Sequence, residues 1–148
     1  MLTKYYAEHR VGECGRTRGR TITESDLVGF AAFTGDWHAL HVNKEYAAQS
    51  RFGERIAHGM LVLSVASGLL DNDPPYAAAF YGMKEVQFRA PTLIGDTLHV
   101  EWRVAEMVDH DEDNGIVTYA LKVVNQKGVT VVRADMRMLV SKSGGGQP

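Results

Sequence analysis

An aspartate and a histidine stand five residues apart, Asp36 and His41, in the run FTGDWHALHVN. A carboxylate and an imidazole at that spacing in a loop can grip one water from two sides and divide the work of moving its protons. A positioned acid or base of this kind contributes roughly a hundred- to ten-thousand-fold in rate. Histidine titrates near neutral pH, whereas an aspartate is usually ionised there. Sixteen residues or so later the chain reads FGERIAHGML, and Gly59 opens a strongly apolar segment. A backbone N–H at a helix start is a ready donor to a developing oxyanion, and the helix dipole adds to it. Losing one such donor costs on the order of 3 kcal/mol. Without a side chain, Gly59 lets a bound group come close.

Each of these residues also has a plainer reading. An aspartate after a glycine serves as a turn or cap residue. His41 can be a hydrogen-bonded structural histidine, and Gly59 can be there for close packing. His58 reads as a structural residue that begins the helix, and His38 as an exposed loop residue. It is the pairing of Asp36 and His41 with the HGM helix start that points to chemistry.

Other chemistries find less support. The histidines are not at zinc-ligand spacing and Cys14 is alone, so no metal site is expected. There is no G-x-S-x-G elbow and no phosphate loop. The formal net charge is -2 with no basic block, which argues against a nucleic-acid partner. A single cysteine fits a reducing compartment. The opening residues lack the pattern of a signal peptide, and the run from Met60 to Leu70 is too short and too broken by Ser64, Ser67 and Gly68 to span a bilayer. A soluble cytoplasmic protein is expected.

The elements that must position the pair follow from capping and periodicity. Thr23 caps a helix with Glu24 and Asp26 in its first turn, Leu27, Phe30 and Ala31 recur at helical spacing, and Gly35 ends it. The loop Asp36 to Val42 comes next. Asn43 caps a second short helix that Gly53 stops. The third helix runs from about His58 to Leu70 with apolar residues all round, so burial on nearly every side is expected. Asp71 to Pro75 is a break. Strands then follow over Ala79 to Ala90, Leu98 to Val104, Val117 to Val123 and Val129 to Val140. Asn125 to Gly128 reads as a hairpin turn, and a slip in alternation places a bulge near Val131. A further strand around Arg16 to Arg20 is possible. The sum is an α+β arrangement in which a curved antiparallel sheet wraps a central buried helix. The chain of 148 residues suits a single domain over residues 1–140, with a flexible tail at 141–148. One sheet covers one side of a helix, so a second subunit is expected over the rest.

FTGDWHALHVN, then FGERIAHGML, then SVASGLL, and later FRAPTLIGDTL together resemble the MaoC-like dehydratases, the (R)-specific enoyl-CoA hydratase group of the hotdog fold. The resemblance covers about Thr23 to Val140, and the two linked motifs at this spacing are specific. It implies a catalytic role for Asp36 and His41. It also implies that the Gly59 N–H holds the thioester oxygen and that Ser67 hydrogen-bonds and orients the aspartate. Read without the resemblance, Ser67 would bond back to its own helix. His38 and Ala39 stand where the family usually has Asn and Pro.

The implied activity is reversible hydration of a trans-2-enoyl-CoA to a (3R)-3-hydroxyacyl-CoA by a homodimer. No metal or redox cofactor is implied, and coenzyme A arrives as part of the substrate. Arg16, Arg18, Arg20, Arg51, Arg55 and Arg89 are candidates to meet its phosphates. A hotdog acyl-CoA thioesterase and a non-catalytic acyl-CoA-binding subunit are the alternatives.

Overall fold

The computed structural model describes residues 3–72 and 74–143. In chain order the elements are β1 (Cys14–Arg16), β2 (Arg20–Thr21), α1 (Glu24–Thr34), α2 (Ala39–Val42), α3 (Lys44–Ala48), α4 (Gly59–Leu69), β3 (Ala77–Phe88), β4 (Thr97–Asp109), β5 (Asn114–Val124) and β6 (Thr130–Ser141). The sheet is antiparallel in the order β1-β4-β5-β6-β3, with β2 also pairing to β4. The expected α+β arrangement is therefore present.

The alternation that marked the strands also sets the core. Leu98, Val100 and Val104 of β4 are fully buried while Glu101 and Arg103 are exposed. Val117, Tyr119, Leu121 and Val123 of β5 are buried, as are Ala134, Met136, Met138 and Val140 of β6. Onto this surface α4 places Leu61, Val62, Val65, Ala66 and Leu69. The slip in β6 is a bulge: Val123 pairs with Val132 and Val124 with Thr130, which leaves Val131 as the extra residue. Val131 and Val132 can then both lie inward.

Helix α1 starts as its sequence dictates. The Thr23 hydroxyl accepts from the Asp26 N–H, and the Asp26 carboxylate accepts from the Thr23 N–H, a reciprocal capping box. Arg20 pairs with the same carboxylate. Gly35 ends the helix at φ +77°, where a side chain would be strained.

Four expectations change. The segment Asp36 to Val42 is not all loop: residues 39–42 form the single turn α2, because the His38 ring caps it by accepting the Leu40 N–H. The N-terminal strand is two short pieces, β1 and β2, separated at Thr17, whose backbone and hydroxyl bond to Val100 instead of continuing a regular ladder. The sheet also runs one residue into the expected tail. β6 ends at Ser141, which bonds to the Tyr76 carbonyl; residues 144–148 of that tail lie outside the described residues, as does Asp73 in the expected break.

The fourth change concerns α4. It is not covered on all sides by its own chain, because Met60, Ser64, Ser67 and Gly68 form an exposed stripe at helical spacing. Strand β3, at the sheet edge, likewise exposes Phe80, Tyr81, Val86 and Phe88. A single sheet has only one inner face, and here it is filled by the other side of α4.

Candidate active site

Three segments meet at the start of α4. The backbone just before the helix is fixed from both sides. Ala57 N–H donates to the Thr92 carbonyl, Ile56 bridges to Leu93, and Ile56 N–H reaches the Leu40 carbonyl. Helix α2 then brings His41 over this segment, where its Nδ1 lies 2.8 Å from the Ile56 carbonyl oxygen. A carbonyl only accepts, so Nδ1 carries the proton and the neutral ring keeps a free lone pair on Nε2.

Asp36 is exposed in the turn between α1 and α2. Its carboxylate accepts the His38 N–H, and its own N–H donates to the Thr34 hydroxyl. His38 does for α2 what an asparagine does at a helix cap, accepting the N–H two residues on. Nδ1 of this ring thus stands in for the amide oxygen that the resemblance leads one to expect there. Ligand-type atoms of Asp36, His41 and His58 all lie within 4.8 Å of one another. One water with hydrogen bonds of ordinary length can bridge such a gap.

Gly59 is the first residue of α4, and no side chain caps that end. The amides of the first turn thus point outward without an intrahelical partner. A Cβ on Gly59 would sit 2.8 Å from the Phe88 ring, so close packing against β3 is a sufficient reason for glycine there. His41 and Gly59 line one cleft of about 490 Å³ together with Arg51, Phe52, Phe88 and Arg89.

The structure thus brings Asp36, His41 and Gly59 together. It does not bring Ser67. Nine residues beyond His58 on the same helix, Ser67 is about 13 Å further along the axis at 1.5 Å per residue. It lies on the exposed stripe and lines a separate apolar pocket with Met60, Leu63, Phe80 and Met83. The bond expected from Ser67 to Asp36 is not made within the described chain.

Two residues were underrated by the sequence. His58 is 2% exposed, and its Nε2 lies 3.0 Å from the Asp36 carbonyl oxygen. Its ring stacks on that of His41 at 3.8 Å between centroids. Phe88 was read only as a strand residue, and its ring covers Gly59. The sole signal for His58 was its place beside Gly59. The arginines separate by position: Arg51 and Arg89 are at the cleft, Arg16 lines another cleft with Trp102, Arg18 and Arg20 flank a groove between α1 and α4, and Arg55 pairs with Glu24.

The His41 and His58 rings stack with their centroids 3.8 Å apart and their planes tilted by 29°.

Residues 7–125 match the family model described as the MaoC like domain. The chain belongs to the MaoC-like dehydratase family. It is 42% identical over 98 residues to Protein MaoC of Klebsiella aerogenes, covering 66% of this chain and 29% of that protein. It is 40% identical over 89 residues to the 3-hydroxybutyryl-CoA dehydratase of Methylorubrum extorquens, covering 60% of this chain and 57% of that protein. The chain therefore spans 29% of the length of Protein MaoC and 57% of that of the dehydratase. The (R)-specific enoyl-CoA hydratase of Aeromonas caviae is 31% identical over 125 residues, 84% of this chain and 90% of that protein. Among solved structures, the monoamine oxidase regulatory protein from Archaeoglobus fulgius superposes with a TM-score of 0.89 at 40% identity, covering 95% of each chain. Rv0216 of Mycobacterium tuberculosis, described as a double hotdog fold, superposes with a TM-score of 0.85 at 16% identity, covering 98% of this chain and 46% of that one, which speaks to fold alone. The hotdog fold expected from the sequence is the one this MaoC-like chain adopts.

Burial, together with the neighbouring His58 and His38 rings, pulls the His41 imidazole below its ordinary value of 6.5, against the raising effects of the Ile56 carbonyl and Asp36. Depression favours the neutral ring, so His41 is a base at neutral pH and gains charge only as the pH falls below 6.5. The stability this contributes is present above that value and fades as pH drops through the depressed one. An NMR titration should place the His41 midpoint below 6.5 and show the Nδ1–H tautomer at pH 7.5; a midpoint at or above 6.5 would contradict the described environment.

Proposed function

We propose that this chain hydrates, reversibly, a trans-2-enoyl-CoA to a (3R)-3-hydroxyacyl-CoA. The observation that carries the reading is a carboxylate within 4.8 Å of an imidazole whose Nε2 is free, the imidazole lining one cleft with an uncapped helix start. Family membership and the hydratase and dehydratase names of the relatives support it.

The water bridges Asp36 and His41. As its oxygen bonds to C3, one proton passes to this pair, and the pair delivers a proton to C2, so no net proton is taken up. Negative charge gathers meanwhile on the thioester oxygen. The Gly59 N–H, at the positive end of the α4 dipole, is assigned to stabilise it. Arg51 and Arg89 are the cations at this cleft and are assigned to the phosphates of coenzyme A. The stereochemical outcome rests on the relatives' names alone.

A homodimer accompanies this reading. The uncovered stripe of α4 and the apolar edge strand β3 form a face that a second copy would bury.

Four measurements test these statements. Crotonyl-CoA should lose its conjugated ultraviolet absorbance with purified protein while a thiol reagent stays silent; thiol release would indicate a thioesterase instead. In that assay Asp36→Asn and His41→Ala should each lower turnover about a hundredfold or more while remaining folded. Near-normal rates in folded variants would remove both residues from the mechanism. Arg51→Ala with Arg89→Ala should raise KM several-fold, roughly the effect of losing exposed charge contacts, with kcat little changed. The reverse pattern would place the arginines in the chemistry. Sedimentation should give about twice the chain mass of 16.3 kDa; a monomer at micromolar concentration would refute the dimer.

A further inference from the structure

One buried ring supports both halves of the proposed water-binding pair. The Asp36 carbonyl can only accept, so His58 Nε2 carries a proton and donates across 3.0 Å. In the neutral ring Nδ1 is then unprotonated, and it is buried with no hydrogen-bond partner among the described residues. Leaving a buried polar atom unpaired costs roughly 1–3 kcal/mol. A phenylalanine or leucine would fill the same space without that cost. A histidine here therefore calls for a reason beyond packing, and the bond to Asp36 supplies one.

The second contact is with His41. The two rings stack at 3.8 Å, and Phe30 closes on His58 at 5.0 Å between centroids. His41 is already tethered at Nδ1 by the Ile56 carbonyl, so the stack fixes the remaining freedom, rotation of the ring about that tether. Asp36 has no comparable restraint on its outer side, being exposed in a turn. Its backbone is held from beneath by His58, which sits at the rigid N-cap of α4, next to Gly59.

We infer that His58 is a positioning residue of the site, holding the Asp36 turn by its Nε2–H and the His41 ring by stacking so that carboxylate and imidazole keep a separation one water can bridge. This rests on the hydratase reading above. The same residue precedes the helix whose first amide is assigned to the thioester oxygen, so the three working groups share one support. Misplacing such groups by about 1 Å can cost a hundredfold in rate.

The charged and titratable groups that face His41 are Asp36 in its own turn, His38 at the cap of α2 and His58 on α4, with Arg51 and Arg89 across the cleft. Tyr46 of α3 faces His38. Removing the His58 imidazole takes away a neighbour that disfavours charge on His41. The His41 titration, and with it the acid limb of kcat against pH, then moves upward. A role in packing alone would leave kcat of the folded variants near wild type.

His58→Phe keeps a flat ring and removes the N–H; His58→Gln keeps a donor and removes the stacked imidazole. The expected result for folded His58→Phe is a kcat about tenfold or more below wild type with KM within about threefold, and a raised His41 midpoint by NMR. His58→Gln should recover part of kcat while its His41 midpoint stays raised. Folded His58→Phe with kcat within about twofold of wild type and an unmoved midpoint overturns the inference. If His58→Phe does not fold, His58→Gln decides: a kcat several-fold below wild type with KM little changed supports the inference, and a wild-type kcat overturns it. If wild type hydrates no enoyl-CoA, the hydratase reading fails by itself, and NMR contacts of the His41 ring with Ile56 in the two variants still report whether His58 holds the ring.

Discussion

The bond from His41 Nδ1 to the Ile56 carbonyl is the constraint around which the site is arranged. It joins a one-turn helix, which has little stability of its own, to a segment that the sheet side already holds through Thr92 and Leu93. It also decides which nitrogen of the ring is free. Without it α2 would keep the His38 cap and the bond from the Ile56 N–H to the Leu40 carbonyl, but the imidazole could present either tautomer. The bond therefore links fold and chemistry at a single atom.

The rest of the site is tied to rigid parts in the same manner. The Asp36 turn hangs from α1, which is closed by Gly35 and opened by the Thr23–Asp26 box. Its other support is His58. Gly59 is fixed between the helix it begins and the Phe88 ring of β3. Asp36 stands in a turn and His41 on a one-turn helix, and both segments are short and adjoin elements packed into the core. Precise spacing is thus obtained without a long ordered loop, whose backbone would cost about 1–2 kcal/mol per residue to fix.

Much of this could be read from the sequence, for a physical reason. Alternation along β4, β5 and β6 records which side chains face the core, and even the parity slip at Val131 is written in the order of residues. Caps at Thr23 and Asn43 are local, so they too were readable. What could not be read depends on distant partners. His58 gains its role from a carbonyl 22 residues earlier, and α2 from a cap that a histidine rarely provides. The all-round apolar character of α4 led to an expectation of complete burial, yet the chain alone covers only one side. Apolar residues all round a helix do not tell which side the chain's own sheet will cover. Ser67 was placed beside Asp36 by resemblance, and helix geometry sets the two far apart within the chain.

The bulge at Val131 reaches further than a local irregularity. The carbonyl of the extra residue accepts from Arg89 and Ala90, the stretch that forms one side of the cleft. Val132, the next residue, borders both that cleft and the apolar pocket beyond Met60. Removing the extra residue between Gly128 and Val132 would restore a regular ladder with Val132 still opposite Val123, but it would take away the outward kink and the carbonyl that hold Arg89 and Ala90 at the cleft. The length of one hairpin arm thus acts as a ruler for the wall of the site. Redesign of the cleft can vary which side chains stand along that arm, but not how many.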